Sequence, residues 1–214
     1  MAIDIRKQEA QRMRAEFEEL LRSTGREGVD YVIEDLADLG FFIAPASTRF
    51  HLNYEGGLLE HSLNVCKVAL MLREQMIAMR PDVEPFFPKD SVIVASLLHD
   101  VCKADIYKPT IKKKKNAFGV WVDEPGYDVD YSKFPLGHGE KSVVVILRCG
   151  FDLTDDEILA IRWHMTAWDL PFQSPELKNC LNTARDRCPL CGLIQSADGL
   201  AANILERTDK EEEE

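Results

Sequence analysis

The residues best placed for chemistry in this sequence are His99 and Asp100. They close an apolar run, Val92-Ile93-Val94-Ala95-Ser96-Leu97-Leu98, and are followed by Val101-Cys102-Lys103. A helix that is apolar on nearly every side belongs in the middle of a core. An ionised carboxylate at the end of such a helix is costly unless a cation or hydrogen bonds compensate it. A metal ion would compensate it and would use the neighbouring imidazole as a second ligand.

Four further residues share this placement: His61, His138, His164 and Asp198. Each falls within or at the end of a segment with a core-facing pattern. Asp198 stands among Leu190, Ile194, Ala197, Ala201 and Ile204, where the pattern calls for an apolar side chain. A single histidine beside an apolar stripe is an ordinary core or surface residue. Five segments that each carry such a residue or pair are a different matter. Four imidazoles and two carboxylates suit first-row transition metals, with a carboxylate between two of them. Two metals about 3.5–4 Å apart clamp the attacking and leaving oxygens of a phosphoryl transfer.

The elements that must position these residues are mostly helices. Apolar spacing predicts helices from about Ile5 to Leu21, from Val29 to near Gly40, and from Leu58 to about Met79. The last of these has a stripe of Leu58, Ser62, Val65, Ala69, Leu72 and Met76. After a proline-rich linker from Pro81 to Pro88, Asp90 is placed to cap the central apolar helix, which is expected to run to about Lys103. Residues from about Ile106 to Pro135 alternate, and Glu124-Pro125-Gly126 reads as the turn of a short β-hairpin. A segment of this length between helices is often a lid or substrate loop. Leu136 to Ser142 opens the next helix. Thr154-Asp155-Asp156-Glu157 has the form of a capping box for another, broken at Pro171. A short helix is expected over Ser174 to Ala184, and a last one from Pro189 to about Leu205.

Composition narrows the class. The 214 residues are 45% hydrophobic and 29% charged, as in a globular protein with a real core. No apolar run approaches the roughly 20 residues of a membrane helix, and the N-terminus lacks a signal-peptide core. A cytoplasmic location follows as the expectation, with the six cysteines as thiols. The net charge of −11 argues against a nucleic-acid coat protein but leaves room for a small phosphorylated substrate.

The order His61, His99-Asp100, Asp198 resembles that of the HD-domain superfamily of metal-dependent phosphohydrolases. Gly56-Gly57-Leu58-Leu59-Glu60-His61-Ser62 resembles the first-ligand motif of many bacterial members, and Leu97 to Lys103 their second motif. His138 and His164 resemble the extra ligands of the two-metal branch. Phe42 through Ser62 and Phe134 through Ser142 resemble a subgroup of bacterial HD hydrolases. The resemblance covers about residues 40 to 205. It implies an all-α HD-domain helical bundle with a small β-hairpin insertion. The expected organisation is an N-terminal helical extension (1–40) packed on the core, an HD domain (41–208) with its hairpin or lid at about 106–135, and an acidic tail (209–214).

By the same resemblance, His61, His99, Asp100 and Asp198 would hold a first metal, and His138 and His164 a second, with Asp100 as the bridge. One or two divalent ions (Fe, Mn, Co, Ni or Zn) are implied. Lys103, at i+4 from His99 on the expected helix, could neutralise a phosphate oxygen and fills a lysine position of the family; it also suits a helix C-terminus. Asp100 and Lys103 are thus the candidate catalytic pair. Lys141 is a weaker candidate phosphate contact, equally readable as a surface lysine. His51, on the approaching loop, suits a substrate or supporting role more than a metal role.

Two other features compete for attention. Cys188-Pro189-Leu190-Cys191, with Cys180 nearby, lacks a second CxxC to complete a zinc site and reads as core or partly exposed thiols. Lys112 to Lys115 could steer an anion, or simply solvate a loop tip. The function that emerges is hydrolysis of a phosphate ester, in a nucleotide or related small metabolite, by metal-activated water. A 3′–5′ exonuclease is a first alternative, although no nucleic-acid-binding domain is visible. The ligand order also resembles that of the di-iron HD oxygenases, a second alternative, and a metal-binding regulatory module without turnover is a third. The sequence leaves the oligomeric state open.

Overall fold

A computed structural model describes residues 2–48, 51–116, 118–170 and 174–207. The expected acidic tail (209–214) and Pro171 lie outside the described residues, and the helix expected to run up to Pro171 already ends at Trp163. Eight α-helices are described: α1 (Ala2–Ser23), α2 (Val29–Leu39), α3 (Gly57–Met79), α4 (Lys89–Leu98), α5 (His138–Arg148), α6 (Asp155–Trp163), α7 (Pro175–Arg187) and α8 (Pro189–Leu200). One antiparallel hairpin, β1 (Tyr107–Lys115) and β2 (Trp121–Val129), lies between α4 and α5. This is the all-α bundle with a small hairpin that the sequence implies.

Helix α4 is the centre. Every residue from Ser91 to Leu98 is buried, and α3, α6 and α8 all pack on it. Phe17 and Leu21 of α1 and Val32, Ile33 and Leu36 of α2 belong to the same hydrophobic cluster as α4 and α8. Phe17, Phe41 and Phe42 meet with ring centroids 5.3–5.5 Å apart, two of the pairs edge to face. Such aromatic pairs add to plain area burial.

Three local expectations are corrected. Helix α4 stops at Leu98 rather than Lys103, and a 3₁₀ turn covers Val101–Lys103. The His99 ring takes Ser96 O at 2.8 Å, the carbonyl that the next helical N–H would need, so a local side chain competes with the helical ladder there. Lys103 is therefore not one helical turn beyond His99. The tighter 3₁₀ geometry eclipses positions i and i+3, which sets Lys103 over Asp100.

Asp90 is not the cap of α4. Pro88 holds that position, and Asp90 faces Arg26 at 3.2 Å. Pro125-Gly126 is not the hairpin turn either. Both lie inside β2, opposite Ile111 and Thr110, where the edge of a two-stranded sheet tolerates a proline. The reversal uses Asn116, whose side-chain oxygen accepts from Phe118 N and Val120 N, both at 3.0 Å, and Gly119 with φ +73°. The lysine run lies in β1 and is paired across the strands: Lys112 with Asp128 at 3.3 Å, and Lys114 with Glu124 at 3.9 Å. The capping box on α6 forms as expected, with Thr154 Oγ1 accepting from Glu157 N and Glu157 accepting from Thr154 N.

The Gly56-Gly57 pair has a steric reason. Gly56 adopts φ +85° ahead of α3, and a Cβ on Gly57 would stand 2.1 Å from the carbonyl oxygen of Leu52. The loop can press onto the start of α3, one turn before His61, only because position 57 has no side chain. Gly57→Ala should cost about 1–3 kcal/mol, as overpacking does. A urea-unfolding midpoint equal to that of the native protein would contradict this contact.

Candidate metal centre

The chain has five histidines, and all five gather in one place. Their rings form a file, with centroids 5.0 Å apart for His51 and His61, 5.2 Å for His61 and His99, 4.9 Å for His99 and His164, and 5.3 Å for His164 and His138. His61 comes from α3, His99 from the end of α4, His138 from the first residue of α5, and His164 from the end of α6. Asp198 enters from α8.

Asp100 lies in the middle, and its two oxygens face different partners. Oδ2 is 3.4 Å from both His61 Nε2 and His99 Nε2. His61 Nε2 is also 3.3 Å from Asp198 Oδ1 and 3.3 Å from His99 Nε2. On the other side, Oδ1 is 2.6 Å from His138 Nε2 and 3.5 Å from His164 Nε2. All six candidate ligands expected from the sequence are thus brought together, with His61, His99, Asp100 and His164 almost wholly buried.

The outer nitrogens decide how these rings are protonated. His99 Nδ1 lies 2.8 Å from Ser96 O, and His164 Nδ1 lies 2.7 Å from Ile161 O. A carbonyl only accepts, so both Nδ1 atoms carry the hydrogen and both Nε2 lone pairs turn inward. His61 Nδ1 is 3.0–3.1 Å from the two carboxylate oxygens of Glu206, to the same effect. The inward Nε2 lone pairs of His99 and His164 stand beside the Asp100 carboxylate, and among the described residues His164 Nε2 is buried with no hydrogen-bond partner. A bound divalent cation would answer both problems, and His and Asp donors suit one. Donor atoms of His61, His99 and Asp198 lie within 4.8 Å of one another, as do those of His99, Asp100 and His164.

Electrostatics agree. Burial pushes the Asp100 pKa up, but Lys103, His99 and His138 overcome this and hold its carboxyl well below the usual carboxylate range. Burial works against the imidazolium of His61, yet hydrogen bonds to Asp100, Asp198 and Glu206 raise its pKa well above the ordinary value. At His138 burial is again opposed, by Cys102 and Asp100, and the pKa is carried up to about 10. The negative field of these carboxylates draws positive charge to the centre of the cluster.

The other sequence candidates divide. Lys103 Nζ lies 2.6 Å from Asp100 Oδ2, directly on the central carboxylate. His51 flanks His61, with ring centroids 5.0 Å apart and Nε2 3.9 Å from Glu206. Lys141 is buried and is bound to Asp105 at 2.5 Å, so its charge is already matched. Cys188 and Cys191 are buried in the core cluster, and among the described residues no third donor gathers at them.

Four supporting residues carry no signal of this role in the sequence. Glu206 is buried, holds His61 Nδ1, and accepts from Asn64 Nδ2 at 3.0 Å. A π turn over Ala201–Leu205 swings it inward, closed by Glu206 N to Ala201 O at 3.0 Å. In a regular α-helix the eight residues from Asp198 would make about 2.2 turns and aim Glu206 elsewhere. Cys102 Sγ lies 3.4 Å from His138 Nδ1. Asp169 accepts from the backbone N–H groups of His138 and Gly139, each at 3.2 Å, and so caps α5. Asp105, through Lys141, is the fourth. Gly139 also permits contact, since its Cβ would lie 2.2 Å from Arg162 O on α6. The only hint of this support is that glycine, beside a candidate ligand.

Comparison with known proteins agrees with this geometry. The HD domain family model matches residues 58–203, a span that holds all six candidate ligands. The chain therefore belongs to the HD domain family. It is similar to the dihydroneopterin 2′,3′-cyclic phosphate phosphodiesterase of Methanocaldococcus jannaschii, with 31% identity over 127 residues. That alignment covers 58% of this chain and 45% of the archaeal protein, so the chain spans less than half the length of this relative. No solved structure matches the chain. Among the described residues no helix is long and apolar enough to cross a membrane.

Proposed function

We propose that this protein hydrolyses the phosphate ester of a small metabolite, a nucleotide or a related compound, with two divalent metal ions. His61, His99, Asp100 and Asp198 would hold one ion, and His138, His164 and the other oxygen of Asp100 the second. The observation that carries this reading is the divided use of Asp100. Each oxygen faces its own set of inward nitrogens, as a bridging carboxylate requires.

When bound, the metals would act as Lewis acids and supply a nucleophilic water near neutral pH. The protein residues do the rest. The Ser96, Ile161 and Glu206 oxygens hold three imidazoles in the ligand tautomer. Lys103 keeps a fixed positive charge beside Asp100, where a phosphate oxygen gaining charge would be stabilised. The water oxygen joins phosphorus, the ester P–O bond breaks, and the proton ends on the leaving oxygen. The archaeal relative is named for a cyclic phosphate, which puts cyclic phosphodiesters first among candidate substrates.

The test is a panel of 2′,3′-cyclic nucleotides, nucleoside mono- and triphosphates and short RNA ends, run with Mn²⁺, Co²⁺, Ni²⁺, Fe²⁺ and Zn²⁺ in turn. Ester cleavage is expected with at least one metal, lost on chelation and restored by adding the metal back. Cleavage confined to RNA ends would move the reading to the exonuclease. Iron-dependent O₂ uptake with no ester cleavage would overturn hydrolysis and favour the oxygenase.

A further inference from the structure

A cavity of about 390 Å³ opens beside His138, within the size range of small-molecule sites. His138 belongs both to this cavity and to the cluster around Asp100, so the cavity borders the cluster at that residue. Ile106 forms part of one wall. Tyr131, Pro135 and Leu136, from the segment that leads out of the hairpin, form another, and Asp130 N to Ile106 O at 2.8 Å ties this segment down.

The charged groups on the cavity wall are already committed. Lys141 is neutralised by Asp105 at 2.5 Å. Asp169 is bound to Arg162 at 2.8 Å and to two amides at the start of α5. Among the described residues, these pairs leave the cavity wall with no uncommitted lysine or arginine to attract a phosphate. What it offers a ligand is apolar and aromatic surface. Tyr131 and Leu136 are 58% and 38% exposed, although both are large hydrophobic residues. Their contact area is available to a ligand.

We infer that this cavity receives the flat, uncharged ring of the substrate, a heterocycle of the purine, pyrimidine or pterin kind, while its phosphate lies toward Asp100 and Lys103. Tyr131 supplies a face for stacking, and Pro135, Leu136 and Ile106 supply apolar surface around it. Stacking of a base on an aromatic side chain is sequence-tolerant and strong enough to dominate the affinity of the ring end. The inference rests on the phosphate-ester reading and adds to it the place and nature of the specificity pocket.

The test is equilibrium binding to the Mn²⁺-loaded protein. Adenosine, guanosine and cytidine monophosphates and neopterin monophosphate are compared with ribose 5-phosphate, which carries no ring system of this kind. At least one heterocyclic phosphate should bind about 10-fold or more tightly than ribose 5-phosphate. Leu136→Trp, which fills the cavity, and Tyr131→Ala, which removes its face, should each collapse that ratio toward one. Unfolding midpoints and metal content serve as controls on both variants. A ratio near one in the native protein, or a ratio that survives both substitutions, would overturn the assignment of the cavity. Binding of none of these phosphates, with metal in place, would overturn the phosphate-ester reading as well.

Discussion

Asp100→Ala should strip the protein of its metal and lower ester hydrolysis on the order of 10³-fold or more, because the metals' work in charge stabilisation and water activation is lost together. The size of the effect follows from position. Asp100 is 2% exposed, and His61, His99, His138, His164 and Lys103 all lie within 3.5 Å of its two oxygens. Its removal takes a ligand from both proposed ions and leaves the half-buried Lys103 ammonium without its carboxylate, beside imidazoles. Breaking a buried ion pair typically costs about 3–5 kcal/mol. The variant should therefore also unfold at lower urea. Asp100→Asn separates the two effects, since it keeps the volume and one acceptor but not the bridging charge. Metal analysis, turnover and unfolding are the three measurements. Full metal content with native turnover in Asp100→Ala would remove the foundation of the proposed site.

Glu206→Ala should weaken metal binding about 10- to 100-fold, the usual effect of losing the partner that orients a ligating histidine. The α8 segment grips the His61 ring from both sides. Asp198 meets Nε2 at 3.3 Å, and Glu206 meets Nδ1 at 3.0 Å. Without Glu206 the ring is free to take the other tautomer, which puts a hydrogen where the metal must bind. Titration with Mn²⁺ or Co²⁺ reads this without relying on turnover. Glu206→Gln keeps an acceptor for the Nδ1 hydrogen and should recover much of the affinity. Equal, native-like affinity in both variants, with Glu206→Ala merely less stable, would reduce Glu206 to a packing residue.

Much of the fold and of the site is legible in the amino-acid sequence. The apolar run into His99-Asp100 marks both the central helix and the point where a charge needs a partner. Asp198 is visible as an acid at an apolar position, and Thr154 to Glu157 as a helix start. These signals are readable because they are local, set by a 3.6-residue period or by a cap a few residues long. The misleading signals are local too, and arise where two of them compete. Pro125-Gly126 has the composition of a turn, but the Asn116 side chain and Gly119 make the reversal. The apolar period carries α4 on toward Lys103, but the His99 ring takes the Ser96 carbonyl that a further turn of helix would use.

By itself the sequence determined the candidate donors, their order along the chain and the helices that carry them, since residue type and periodicity are properties of short segments. Only the tertiary structure decided which oxygen of Asp100 meets which imidazoles, that Glu206 and not a nearer acid holds His61, and that Lys141 is spent on Asp105. These are distances of about 3 Å between residues 36 to 145 positions apart. They depend on how helices rotate against one another and on a single π turn after α8. Helical spacing says which face of an element is apolar, but not the angle at which two such faces meet.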